Sequence, residues 1–134
     1  MAQDTRTSVF IVDDNAMTRT LLRMMIQGEQ YQVVGEAGTA EQALERLLAI
    51  RPAIVCLDVR LPDVDGLELL RRIRALLPAC AILMVTACND RGTVETAMRD
   101  GANGFILKPF NPGTVLDALN HVAASLDGAK PPDQ

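Results

Sequence analysis

Apolar and polar residues alternate along this chain in blocks rather than residue by residue. A β-branched run from Ser8 to Val12 stops at Asp13-Asp14, and a weaker run spans Gln32 to Gly35. Ala53 to Leu57 ends at Asp58, Ala81 to Val85 ends at Thr86, and Gly104 to Leu107 ends at Lys108-Pro109. Runs without polar alternation suit strands covered on both faces. Helical spacing fills the gaps between them. Ala40, Ala43, Leu44, Leu47 and Leu48 form one stripe, opened by Thr39-Ala-Glu-Gln42 as a capping box. Leu69, Leu70, Ile73, Leu76 and Leu77 form a second, with Arg71, Arg72 and Arg74 on what reads as a solvated face. Asn111-Pro112 fits an N-cap followed by proline at the first helical position, ahead of a stripe of Val115, Leu119, Val122, Ala123 and Leu126. The pattern also predicts a first helix from about Ala16 to Gln27, closing at Gly28, and a short fourth from about Thr93 to Arg99. Strand and helix repeat about five times, which predicts an α/β fold. Its core is a doubly wound parallel sheet with helices on both faces and right-handed crossovers.

Composition narrows what such a fold can do. The 134 residues, 49% hydrophobic and 22% charged, suit one domain with a sizeable core. Residues 1–127 are expected to form that domain, and 128–134, with Gly128, Pro131 and Pro132, a flexible tail. A net charge of −4 argues against direct nucleic-acid binding through a bulk basic surface and against attraction to an anionic membrane. No apolar run is long enough for membrane insertion, and Met1 to Ser8 shows no secretory h-region. Cys56, Cys80 and Cys88 are odd in number and lack CxxC spacing, which suits a reducing cytoplasmic setting rather than a disulfide or zinc site. His121 is the single histidine and reads as a helix residue without catalytic role. Lysine occurs only at positions 108 and 130.

In open parallel sheets ligands bind beyond the carboxyl ends of the strands. The polar residues at those ends are Asp13, Asp14, Asp58, Thr86 and Lys108. One Asp after a strand is commonly a cap or turn residue. Five such residues at the same structural station point instead to a site. Carboxylates held together repel, and a hard divalent cation such as Mg²⁺ relieves that with oxygen ligands alone. A lysine adds a point charge suited to phosphate, and a threonine adds a donor. A carboxylate so flanked is a plausible nucleophile toward phosphorus. Asp63 and Asp65 read as loop and N-cap residues beside Gly66, and Met24, Met25, Met84 and Met98 as core filling.

Asp13-Asp14 after an apolar strand, Leu57-Asp58-Val-Arg-Leu-Pro62-Asp-Val-Asp65-Gly66, Val85-Thr86-Ala87 and Phe105-Ile-Leu-Lys108-Pro109-Phe110 together resemble the receiver domain of two-component response regulators. The resemblance spans roughly Val9 to Leu126 and is to a stand-alone, chemotaxis-type single-domain regulator. It implies strand order 2-1-3-4-5. It implies that Asp58 is the phosphoacceptor and Asp14 a direct Mg²⁺ ligand. Asp13 would be the neighbouring carboxylate working largely through water, and the Arg60 backbone carbonyl a further ligand. Thr86 would be the switch hydroxyl, Lys108 the phosphate-binding lysine, Phe105 the aromatic switch residue, and Pro109 the partner in a cis peptide bond. Arg60 and Cys88 match positions that tune loss of the phosphoryl group, and redox modulation at Cys88 is conceivable. The implied partners are a histidine kinase or histidine phosphotransfer protein and a downstream effector protein. The implied domain has no enzymatic turnover beyond its own phosphotransfer and dephosphorylation. Few basic residues on the last helix favour a monomer.

Other readings make different demands. Haloacid-dehalogenase-like phosphatases carry DxD after the first strand, whereas this chain has adjacent Asp13-Asp14. A flavodoxin-like nucleotide binder needs a Gly- or Ser/Thr-rich loop there. A degenerate, protein-binding receiver would usually lack one of the five strand-end residues, and all five are present. A receiver cut from a longer regulator, with Pro131-Pro132 beginning a linker, is the remaining alternative.

Overall fold

Five strands alternate with five helices in the computed structural model, which describes residues 5–87 and 91–128. The strands are β1 (Thr7–Val12), β2 (Tyr31–Ala37), β3 (Ile54–Asp58), β4 (Ala81–Ala87) and β5 (Gly104–Lys108). The helices are α1 (Ala16–Ile26), α2 (Ala40–Ile50), α3 (Gly66–Leu76), α4 (Arg91–Arg99) and α5 (Pro112–Gly128). The sheet order is β2-β1-β3-β4-β5 and every neighbouring pair is parallel. The chain thus winds outward one way from β1 to β2 and the other way from β1 through β3, β4 and β5. The crevice where ligands bind in such sheets opens between β1 and β3.

Two apolar layers explain the uninterrupted strand runs. Phe10, Val12, Val55, Leu57, Ile82 and Met84 face α2, α3 and α4. Val9, Ile11, Ile54, Cys56, Leu83 and Val85 face α1 and α5. Successive side chains point to opposite faces, so both parities must be apolar in the central strands.

β2 lies at an edge and breaks this rule. Its pairing with β1 slips between Val9 and Phe10, so that Val33 pairs with Val9 but Gly35 with Phe10. The extra residue, Val34, is a bulge, and it reverses the facing of everything after it. Tyr31 and Val33 join the α1/α5 layer, whereas Ala37 joins the opposite one. β2 is therefore longer than its apolar signal, because Glu36 interrupts that signal while the backbone continues to pair.

Local chemistry sets most helix starts. The Thr39 side chain accepts from the Gln42 N–H, but Gln42 Oε1 receives the N–H of Gly38, one residue before the expected capping-box partner. Asn111 Oδ1 accepts from the Thr114 N–H, with Pro112 in the first helical position. α1 ends at Ile26 with Gln27 as its C-cap, α4 begins at Arg91, and α5 runs to Gly128, one residue past the expected domain boundary.

Two expectations about side chains are corrected. Arg74 is not on a solvated face. Its guanidinium reaches the carbonyls of Pro78, Cys80 and Gly101 and the Asn103 Oδ1, tying together the loops that precede β4 and β5. Its long stem lets the charged head fold under the helix. Met24 and Met98 are not core: they are 70% and 44% exposed, while Met84 is buried. Met25 packs part-buried against the α1/α5 layer.

Candidate functional site

Parallel register brings the strand-end residues to one place. Val12 pairs with Leu57, so Asp13 and Asp58 leave adjacent strands side by side. Asp58 pairs with Val85, Thr86 with Leu107 and Ala87 with Lys108. Strands in a sheet lie about 4.8 Å apart, which puts these side chains within reach of one another. One oxygen each from Asp13, Asp14 and Asp58 lies within 4.8 Å of the others. Lys108 Nζ is 3.5 Å from Asp58 Oδ1. Asp58, Arg60, Thr86 and Lys108 together line a cavity of about 130 Å³.

The electrostatics of the cluster are unbalanced. Asp13, Asp58 and Thr86 are buried, while Asp14 is exposed. Burial pushes the Asp13 carboxyl up to about 6. The Asn15 N–H opposes that rise, Asp58 adds to it, Lys108 opposes it and Asp14 adds to it. Asp13 Oδ1 is satisfied by the Asn15 N–H at 2.9 Å. Its Oδ2 is buried without a hydrogen-bond partner among the described residues. Buried polar atoms are nearly always paired, so an orphan oxygen beside two further carboxylates marks a place for a cation. The donor set, all carboxylate oxygen, fits Mg²⁺.

The loop after β3 is held from two sides. The Gly66 N–H bonds the Val59 carbonyl at 2.8 Å. A Cβ on Gly66 would lie 2.4 Å from the Val59 oxygen and 2.5 Å from the Asp58 oxygen. Only glycine lets α3 start this close to the phosphoacceptor candidate. Asp65 caps α3 through the Leu67 N–H. Asp63 instead crosses to α2, where its carboxylate accepts from the N–H groups of Ala40 and Glu41.

The Asp13 end is held from behind. Its N–H bonds the Ala37 carbonyl at 3.0 Å, and its own carbonyl accepts from Arg19 Nη1 at 2.6 Å. Arg19 Nε is 3.3 Å from Glu36 Oε1, and Arg23 pairs with the other oxygen of the same carboxylate. Sequence spacing offers no signal for either the Arg19 or the Asp63 contact, because each joins residues from separate elements.

A model of the response regulator receiver domain matches residues 9–120. The chain belongs to the receiver domain family. It is 36% identical over 115 residues to the chemotaxis protein CheY of Listeria monocytogenes, covering 86% of this chain and 97% of that one. It is 32% identical over 125 residues to the nitrate/nitrite response regulator NarL of Escherichia coli, covering 92% of this chain and 58% of that protein. Among solved structures, the receiver domain of AraT, a response regulator from Geobacillus stearothermophilus, superposes with a TM-score of 0.85 at 29% identity. That match covers 92% of this chain and 98% of the other.

Within this receiver, the sequence-derived site residues converge. Asp13, Asp14 and Asp58 form the acidic cluster, consistent with the Mg²⁺ site of the family, and Lys108 and Thr86 adjoin it. The Arg60 N–H faces Asp58 Oδ1 at 3.3 Å. The Lys108–Pro109 peptide is cis. Phe105 is half-buried and packs against the α2/α3/α4 layer. Cys88, Lys130 and most of the expected tail lie outside the described residues. Cys56 and Cys80 are buried thiols, and burial pushes them up to about 12 and about 11, which makes them poor nucleophiles. Among the described residues no helix is long and apolar enough to cross a membrane.

Proposed function

We propose that this receiver is a phosphoacceptor switch of the cytoplasm that takes its phosphoryl group on Asp58. The observation that carries the reading is the Asp58 carboxylate itself. It is buried, faces a cavity shared with Thr86 and Arg60, and has an ammonium at 3.5 Å and two further carboxylates within 4.8 Å. The donor is a phosphohistidine on a histidine kinase or phosphotransfer protein. An Asp58 oxygen attacks phosphorus, the P–N bond breaks, and the electron pair returns to the imidazole nitrogen of the donor.

Asp13, Asp14, Asp58 and the Arg60 carbonyl would hold Mg²⁺. When bound, it neutralises the clustered carboxylates and the charge that gathers on the transferring group. Lys108 exchanges its contact with Asp58 for one with a phosphoryl oxygen. Thr86 donates its hydroxyl to another. The added charge and acceptor oxygens thereby shift the equilibrium between two packings. Movement of Thr86 toward the phosphoryl group frees space for Phe105 to turn inward. That alters the face formed by α4, β5 and α5, which then docks a downstream effector protein. The likeness to a chemotaxis protein fits a signalling role; output is then by protein docking, with the domain acting as a monomer and without turnover of a separate substrate.

Intact-mass measurement after incubation with acetyl phosphate and Mg²⁺ tests this. One phosphoryl group should appear on the parent and none on Asp58→Asn. A single acid-stable phosphate surviving in Asp58→Asn would overturn the assignment.

A further inference from the structure

We propose that Arg19 is a positioning residue for the cation site, acting through the Asp13 backbone rather than through its carboxylate. This rests on the reading of Asp13, Asp14 and Asp58 as that site. Among the described residues Asp13 is fixed by three hydrogen bonds, one on each polar group except Oδ2. Its N–H bonds Ala37, its carbonyl accepts from Arg19 Nη1 at 2.6 Å, and its Oδ1 accepts from Asn15. The Arg19 bond is the one made by a side chain reaching back from α1, so it sets the tilt of the peptide joining Asp13 to Asp14. That peptide decides how the two carboxylates stand relative to Asp58.

The rest of the fold supports this contact. The bulge at Val34 turns Glu36 toward α1, where its carboxylate holds Arg19 Nε at 3.3 Å and also pairs with Arg23. Without the bulge Glu36 would face α2, and the guanidinium would lose this carboxylate partner. Arg46 of α2 bonds the Glu36 carbonyl, fixing β2 at this point. Gly38 leaves the space the guanidinium needs: a Cβ there would lie 3.2 Å from Arg19 Nη1. Groups that orient the residues around a metal commonly contribute as much to affinity as some ligands.

Arg23 provides the control, because it shares Glu36 but does not touch Asp13. Mg²⁺ alone is titrated into the full chain by calorimetry, with thermal unfolding followed in parallel. Arg19→Ala should weaken Mg²⁺ binding about tenfold, Arg19→Lys should fall between it and the parent, and Arg23→Ala should bind as the parent does. Should Arg19→Ala not fold, the Arg19→Lys and Arg23→Ala pair decides the matter alone. Parent-like Mg²⁺ affinity in the Arg19 variants, or an equal loss in Arg23→Ala, overturns the proposal and leaves the phosphoacceptor reading intact. A parent that binds no Mg²⁺ overturns both.

Discussion

The Asp63 carboxylate accepts the backbone N–H of Ala40 at 2.9 Å and that of Glu41 at 3.1 Å, so the loop after β3 supplies the anion for the N-terminus of α2. A helix start carries unsatisfied donors and a partial positive charge, and an acid borrowed from another loop serves both. The two N–H donors hold the Asp63 carboxyl below the usual carboxylate range. A group depressed in the folded state contributes stability above its unfolded pKa and loses it as pH falls through the folded one. Asp63→Asn should therefore be less stable than the parent at neutral pH, with the gap closing below about pH 4. Urea melts of both proteins from pH 3 to 7 measure that gap. A gap that does not change with pH would show that the contact acts without its charge.

Gly66 makes a sharper demand. Its missing Cβ is what lets α3 begin against the carbonyls of Asp58 and Val59. Those neighbours are backbone atoms, which cannot rotate away. Gly66→Ala should cost about 1–3 kcal/mol of stability, as overpacking does. It should also slow labelling of Asp58 by acetyl phosphate, because the loop must lift before the methyl fits. Thermal unfolding and labelling rate read the two effects separately.

The parts of this molecule legible in the sequence are those written in period and position. Strands buried on both faces leave apolar runs, and the residue that ends each run lands at the same edge, so Asp13, Asp14, Asp58, Thr86 and Lys108 could be grouped before any contact was known. The layout of β2 was less legible. A bulge adds a residue without changing composition, and Glu36 looks like the end of a strand that continues to Ala37. Arg74 misleads for a related reason, since helical spacing places its Cα outward but says nothing of where a long guanidinium finds carbonyls. Met24 and Met98 show the converse, apolar side chains left in solvent because α1 and α4 bury narrow stripes. The braces from Asp63 and Arg19 depend on loops meeting in space, which no local pattern encodes.

Lys108 tests whether charge or shape matters at the pocket. It is one of only two lysines in a chain whose Lys and Arg total 13. Its ammonium sits 3.5 Å from Asp58 in a cavity of about 130 Å³. A guanidinium keeps the charge but is planar and broader, and it spreads its donors. Lys108→Arg should fold with parent-like stability yet accept phosphate from acetyl phosphate at least about tenfold more slowly. Lys108→Ala should be slower again. Parent-like rates in Lys108→Arg would mean that a positive charge alone is sufficient there.

Asp13 carries the opposite linkage to Asp63. Burial raises its carboxyl from the ordinary value near 4 to about 6, so the folded state holds a proton that the unfolded chain has already released. Between those values the folded state binds more protons, and the stability of the metal-free protein should fall as pH rises through the window. Above it, the folded protein carries the full cost of an ionised carboxylate whose Oδ2 has no partner among the described residues. Asp13→Asn removes that cost and should raise metal-free stability near pH 7 by about 1–3 kcal/mol. The same substitution should flatten the slope between pH 4 and 6 and weaken Mg²⁺ binding. For the parent, stabilisation by Mg²⁺ should grow from pH 5 to 7 as the carboxylate ionises and gains a counter-charge. Chemical denaturation at several pH values, with and without Mg²⁺, measures all three effects. An Asp13→Asn protein no more stable than the parent at pH 7 would show that the buried carboxylate is relieved by some other means.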